Sequence, residues 1–414
     1  MTVDLPGSDG HSEPFELIPP PALAAESGKT GFSRLAFAAT HVVAKAPLDG
    51  GAAGAGAGNE PAAGAAELSP EAIDWEATLE FRRHLWGLGF GVAEAMDTAQ
   101  RELLGWQVSA RLIELTLAEA RAEPGRMVIA GAGVDHLPPG RPTIAQLIDG
   151  YLHQIEFIHQ RGGRAIIFPT AHLSRHYPEP RHFVEVYRQV ARQAAKPVLV
   201  HWLGEMFAPA LKGYFPGESF WRIMEDNPNL LGVKVSLLDQ GREESIRRRL
   251  ATQGQVVFSG DDFNFPPLIR GDEQRLLAET PFEFEGRRFA MGDYSHALLG
   301  IFDGIAPVAA QALRCLAAGR TEEYEALLAP TVPLSRHIFG APTQHYKAGL
   351  VFLAYLNGHQ HHCHLLGDLE RERSQEHYVE LFKLANAAGV LDEPEAAYGR
   401  LLAMLQHPLP RPTP

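Results

Sequence analysis

The sequence predicts a (β/α)8 barrel with a C-terminal helical bundle, an α/β fold, and three observations carry that prediction. Short apolar or β-branched runs alternate eight times with longer amphipathic segments. Ionisable and polar residues gather just after those runs, where such a barrel builds its site. From about Arg320 strand signals stop, and four helical segments follow near 321–335, 343–356, 373–388 and 393–406.

Residues 1–30 are rich in Pro, Gly, Ser and acids without periodicity, which predicts a disordered, mobile arm. The barrel is expected over 31–319 and the helical region over 320–414. Strand one is expected within Arg34–Val43. The stretch Asp49–Glu67, almost entirely Gly, Ala and polar residues, has nothing to bury and predicts a disordered surface loop at 49–67. Ser69-Pro70 then signals a helix start, ahead of Ile73, Ala77, Phe81 and Leu85 at fourfold spacing. Strands two to four are expected at Gly89–Met96, Met127–Val134 and Arg164–Thr170. Between the last two, Ile144, Leu147, Ile148, Tyr151, Ile155 and Ile158 form a helical stripe ended by Gly162-Gly163. Strands five to eight are expected at Pro197–Leu203, Leu231–Ser236, Val256–Ser259 and Arg288–Met291. Eight parallel strands with crossover helices close into a barrel.

Composition narrows the function. The 414 residues suit one barrel plus an appended part. A net charge of −13 without any Lys/Arg-rich patch argues against a nucleic-acid partner. No apolar run approaches the ~18 residues that would predict a membrane span, and the N-terminus has no basic-then-apolar leader. The two cysteines, Cys315 and Cys363, form no disulfide scaffold. A cytoplasmic protein is expected, as a dimer or tetramer of identical chains.

The residues just after the apolar runs are Thr40 and His41, Asp97 and Thr98, Asp135 and His136, Pro169 to His172, His201 and Glu205, Lys234, Asp261 and Asp262, and Asp293, Tyr294 and His296. The opposite ends carry Arg34, Arg164, Lys196 and Arg288, read as solvent-facing. Lys234 is the most telling. It ends the run Leu230-Leu231-Gly232-Val233-Lys234, and Ser259-Gly260-Asp261-Asp262 closes a second run about one βα unit later. Burial disfavours an ammonium and lowers its pKa, as a Schiff-base nucleophile requires. The plainer reading is a lysine paired with a carboxylate at a barrel rim.

The LLGVKVS segment followed by FSGDD resembles the Schiff-base lysine strand and following S-G-D-D strand of the dihydrodipicolinate synthase and N-acetylneuraminate lyase family. AGAGVDH at 130–136 is similar to that family's third-strand segment, and APTQHYKAG at 341–349 resembles a segment of its C-terminal helices. The resemblance spans roughly residues 33–400. It implies a class I aldolase or lyase acting on a small-molecule 2-keto acid or keto sugar, with Lys234 as nucleophile and no cofactor or metal. The family's T-T-G-E turn is here Met96-Asp97-Thr98-Ala99-Gln100, so Thr98 is the threonine left to pass protons and Asp97 is a substrate-side candidate. Its P-Y-Y becomes Pro169-Thr170-Ala171, followed by His172, and its Y-N-x-P becomes His201-Trp202-Leu203-Gly204. These departures place the chain on a divergent branch.

With the family tyrosines missing, His172 and His201 are the candidate acid/base groups, since imidazole titrates near neutrality. Tyr177 is a fallback. Arg175 would bind a substrate carboxylate bidentately or stand solvated. Asp261 and Asp262 would accept from substrate hydroxyls or cap the next turn, one in each role. Asp135, Asp293 and His296 complete the expected substrate pocket. Two other readings stand beside this one. In the first, His41, Asp135, His172, His201 and Asp261 converge on a divalent ion, as in a metal-dependent isomerase or class II aldolase. In the second, the barrel has lost catalysis and binds a sugar or keto acid. The run His359-Gln360-His361-His362-Cys363-His364 also invites a metal, although a place at a domain or subunit contact fits it better.

Overall fold

A computed structural model describes residues 1–6, 11–22, 31–45, 69–225 and 227–406. The expected loop at 49–67 lies outside the described residues. Eight parallel strands form a closed barrel: β1 Ala36–Ala39, β2 Gly91–Glu94, β3 Val128–Ala132, β4 Arg164–Ile167, β5 Val198–Leu203, β6 Leu230–Ser236, β7 Val256–Ser259 and β8 His296–Leu299. Each pairs with its sequence neighbours, and β8 closes on both β1 and β7. Alternation along each strand sends one set of side chains to the helices and the other into the barrel. On β6, Val233 and Val235 pack outward among the helices. Lys234 between them has His201 on β5 and Phe258 on β7 as register partners, and Phe258 belongs to the interior cluster.

The first helix, Trp75–Leu88, buries Phe81 and Leu85 as the fourfold spacing predicts. Its cap is Asp74, whose carboxylate accepts from Ala77 N; Ser69 caps only the short turn Pro70–Ala72. The helix Ile144–Gln160 starts from Thr143 in a capping box with Gln146.

Strand eight departs from expectation. Arg287–Asp293 pairs antiparallel with Asp272–Phe284, outside the barrel sheet, and the eighth strand is the next four residues after Ser295. The alternating exposure along 287–291 is that of a hairpin with one wet face, whereas His296–Leu299 is buried throughout. Phe282, Phe284, Phe289 and Met291 of this hairpin pack against Leu35, Phe37 and Phe258 of the barrel interior. Arg164 at the start of β4 pairs with Glu285 at the hairpin turn. The hairpin therefore closes the N-terminal mouth, away from the rim where a site is built.

That placement corrects two expected substrate contacts and one basic residue. Asp293 precedes β8 and is held by Arg247 and Arg248, at 2.6 and 2.9 Å. Burial would raise its pKa, but the hydrogen bonds from these arginines hold it below the ordinary value. His296 opens β8 among Phe258, Phe282, Phe289 and Tyr294, and its Nδ1 accepts from Leu35 N at 3.1 Å. Burial pushes it down to about 3, so the ring is neutral. Arg34 is 1% exposed rather than solvent-facing; it donates to the Ile269 carbonyl and lies 3.4 Å over the Tyr294 ring. Replacing His296 by Phe should leave the Leu35 N–H unpaired and cost about 1–3 kcal/mol of stability, read by urea unfolding, without altering the chemistry of the folded fraction.

Beyond the eighth helix, Ala306–Ala317, the C-terminal region contains helices Thr321–Leu328, Thr331–Ile338, Lys347–Leu356, Gln375–Ala387 and Pro394–Gln406. The expected segment 321–335 is thus two helices, broken at Ala329-Pro330. Part of the expected N-terminal arm is ordered: Thr2–Pro6 pairs with Ser12–Glu16, Leu5 and Leu17 are buried, and Asn386 binds the backbone of Glu16 and Ile18. Among the described residues no helix is long and apolar enough to cross a membrane.

Candidate active site

At the C-terminal rim a narrow cleft, with a cavity volume of about 10 Å3, surrounds the end of β6. Met96, Asp97 and Thr98 after β2, His201 and Leu203 on β5, Lys234 and Ser236 on β6, Asp262 after β7 and Gly300 after β8 supply its barrel side. Phe207, Phe339 and Tyr346 cover it.

Lys234 is 7% exposed, and among the described residues it makes no salt bridge, which disfavours the plain rim-pair reading. Burial lowers its pKa to about 8, with Asp262 and Asp97 pulling the other way. Two glycines give this lysine its place. A β-carbon at Gly232, whose φ is +155°, would come within 1.9 Å of the Val256 carbonyl oxygen, so β6 and β7 approach there only as glycine allows. A β-carbon at Gly260 would lie 2.7 Å from Lys234 Cε and 2.3 Å from Ser236 Oγ. The glycine of the S-G-D-D motif thus makes room for the lysine side chain.

Asp262 is 3% exposed and its Oδ1 accepts from Ile301 N at 2.8 Å. Burial raises its pKa to about 7 against that bond and the neighbouring lysine. His201 is buried beside Lys234, with Nε2 3.1 Å from Ser236 Oγ and no partner for Nδ1. Burial and then the lysine's charge hold its pKa well below the usual imidazole range. Asp261 turns away: its Oδ1 accepts from Phe263 N and Asn264 N, so it caps the following turn. Asp262, by contrast, lines the cleft.

Sequence reasoning missed Tyr346. Its hydroxyl donates to Asp97 Oδ2 at 2.8 Å and lies 2.9 Å from Thr98 Oγ1, while its ring stacks on Phe339 at 4.6 Å. Burial and then Asp97 raise its pKa well above that of a free phenol. The next residue, Lys347, reaches Asp97 Oδ1 at 3.2 Å and Glu102 Oε1 at 2.8 Å. The only signal was APTQHYKAG, which matched the family's C-terminal segment without pointing at a tyrosine.

Other expected residues stand elsewhere. His172 lies on the short helix Ala171–His176 and stacks on His176 at 5.8 Å, outside the cleft lining. Arg175 on the same helix is exposed and also does not line the cleft. Tyr177 donates to the Pro142 carbonyl. Asp135 is bound by Arg101 through two bonds, at 2.9 and 3.1 Å, and by Gln154. Burial would raise it, yet Arg101 holds it below the ordinary carboxylate value. His41 is hydrogen-bonded to Asp303 at 2.7 Å and Gln360 at 3.1 Å. Of the five residues of the metal-dependent reading, His41, Asp135 and Asp261 are thus engaged with separate partners, and His172 lies outside the cleft that His201 lines. Of the histidine-rich run, His364 stands near Asp368 and Glu370, at 3.7 and 3.0 Å, the one trio among the described residues with a spacing that could hold an ion. It is not part of the cleft lining.

The class the fold defines is a closed eight-stranded (β/α)8 barrel, here with a buried lysine on its sixth strand. The fold matches a putative dihydrodipicolinate synthetase from Pseudomonas aeruginosa at 14% identity, with a TM-score of 0.58 over 85% of this chain and 98% of that one. It also matches a monomeric dihydrodipicolinate synthase variant (15% identity, TM-score 0.57, 88% and 100% covered) and N-acetylneuraminate lyase from Fusobacterium nucleatum (14%, 0.53, 79% and 90%). By sequence the chain belongs to the family described as protein of unknown function (DUF993), whose model matches residues 3–408. No curated protein matches it.

Proposed function

We propose that the protein is a Schiff-base aldolase or lyase whose nucleophile is Lys234, acting on a small-molecule keto acid or keto sugar. The observation that carries this reading is a buried, unbridged lysine in a cleft, its ammonium destabilised, with hydroxyl and carboxylate groups around it. The neutral amine attacks the substrate carbonyl carbon and the carbonyl oxygen takes a proton, giving a carbinolamine. Loss of water then forms the imine. When the adjacent C–C bond breaks, its electron pair moves into the protonated imine to give an enamine, and the hydroxyl proton of the leaving fragment passes to a base.

Tyr346 and Thr98 are suited to that traffic. A phenol and an alcohol each donate and accept, so the pair can hand a proton along while Tyr346 stays neutral. Asp97 fixes the phenol's direction. His201, with an open ring nitrogen, takes the place the sequence suggested for an acid/base group at strand five, as a hydrogen-bond partner to the substrate.

The test is reductive trapping. Incubation with keto substrates and borohydride or cyanoborohydride should add one substrate mass to the peptide containing Gly232-Val233-Lys234-Val235-Ser236. The labelling rate should rise with pH through about 8, because attack requires the amine to lose the proton that burial has already weakened. An ordinary exposed lysine would respond only near ~10.4. Label spread over surface lysines, or a midpoint near that higher value, would remove Lys234 from the role.

A further inference from the structure

We propose that the carbonyl compound taken up at Lys234 is an uncharged hydroxylated one, of the keto-sugar class, and that 2-keto acids are discriminated against. The inference rests on the Lys234 reading and narrows it. It comes from a census of charge around the cleft.

Two carboxylates line the space, Asp97 and Asp262, and among the described residues the only cation lining it is the lysine that would itself become the imine. Lys347 approaches from behind Asp97 but is already shared between Asp97 and Glu102, at 3.2 and 2.8 Å. Arg101, at the start of the helix after β2, gives Nε and Nη2 to Asp135, Nη2 also to Gln154, and Nη1 to the carbonyls of Ala95 and Gly131. None of its donors is left for a ligand. A substrate carboxylate would therefore enter a narrow cleft beside the carboxyl groups of Asp97 and Asp262, with no guanidinium in the lining to receive it. Of the remaining walls, Met96, Leu203, Phe207 and Phe339 offer it nothing, while the hydroxyls of Thr98 and Tyr346 are engaged with each other and Asp97 and that of Ser236 with His201.

The same groups suit neutral hydroxyls. Carboxylates accept from O–H donors. His201 is 1% exposed, lines the cleft, and has a buried Nδ1 without a partner among the described residues. A buried polar atom left unpaired is costly unless a ligand meets it. A polyol carrying several hydroxyls next to its carbonyl answers the acceptors and this open nitrogen together, and its C–H faces can lie on Phe207 and Phe339.

The experiment uses fructose and 2-ketogluconate, which differ at carbon 1 as CH2OH against COO−, together with dihydroxyacetone and pyruvate. Each is trapped on the full-length protein with cyanoborohydride, and labelling at Lys234 is normalised to that of N-α-acetyl-lysine under the same conditions. The proposal expects each uncharged member to label Lys234 at least about tenfold faster than its acidic counterpart. It also expects Asp262→Asn, which keeps the acceptor for Ile301 N but removes one like charge, to shrink that ratio severalfold by speeding the acids. Equal or faster labelling of Lys234 by the keto acids would overturn the proposal while leaving the Schiff-base reading standing. Absence of label at Lys234 with all four compounds would overturn both.

Discussion

Lys234→Arg is expected to abolish imine trapping and to lower turnover by roughly 10⁴- to 10⁶-fold, the usual consequence of removing a covalent nucleophile from a working unit. The arginine keeps the positive charge and nearly the length, so Asp97 and Asp262, whose charges act on the lysine without bridging it, still face a cation. It cannot supply a neutral amine, because a guanidinium stays protonated throughout the accessible pH range. The variant should fold, since the lysine's (CH2)4 stem contributes packing that arginine largely reproduces. Mass spectrometry after reduction reads the first effect. Deuterium uptake from D2O at the carbon next to the substrate carbonyl reads the second, because that exchange proceeds through the enamine. Persistent labelling of the variant at the wild-type rate would sink the assignment.

Tyr346→Phe is expected to separate binding from proton transfer. The ring keeps its stacking on Phe339 and its edge contact with Phe207, so the cleft retains its shape. Only the hydroxyl that joins Thr98 to Asp97 is lost. Trapping at Lys234 should survive, while deuterium exchange and C–C cleavage fall by roughly 10²- to 10⁴-fold, the worth of a positioned acid/base. Some loss of stability is expected as well, since Asp97 loses a buried donor, and a urea titration measures it independently. If exchange proceeds at the wild-type rate in Tyr346→Phe, the proton carrier is elsewhere, and His201→Phe becomes the next variant to compare.

Much of the barrel was legible because its strands are short apolar runs and its helices amphipathic ones, and each periodicity is a local property of the chain. The rule that strand ends build the site picked out Asp97, Thr98, His201, Lys234 and Asp262 from sequence alone, and these five line one cleft. The rule misled at strand eight. There Arg288–Met291 has the look of a strand and is one, but it pairs with Asp272–Phe284 as a plug, and Asp293 and His296 fall at the wrong mouth. Which partner a strand finds is not written in its own residues.

Local sequence determined the alternation of elements and the lysine at the end of an apolar strand. The chain's net charge also argues against a nucleic-acid partner. Only the tertiary structure decided which polar groups share a space. His172 and His201 are equivalent by strand-end position, yet one stacks on His176 outside the cleft and the other stands beside Lys234, because a short helix carries the first away. Asp261 and Asp262 are adjacent, yet the turn after β7 leaves one to cap that turn and the other lining the cleft. Tyr346 lies 112 residues beyond Lys234 in a helical region with no strand-end signal. It reaches the cleft because the C-terminal helices pack over the barrel's rim, a long-range contact set by burial of whole helix faces and invisible in any local window.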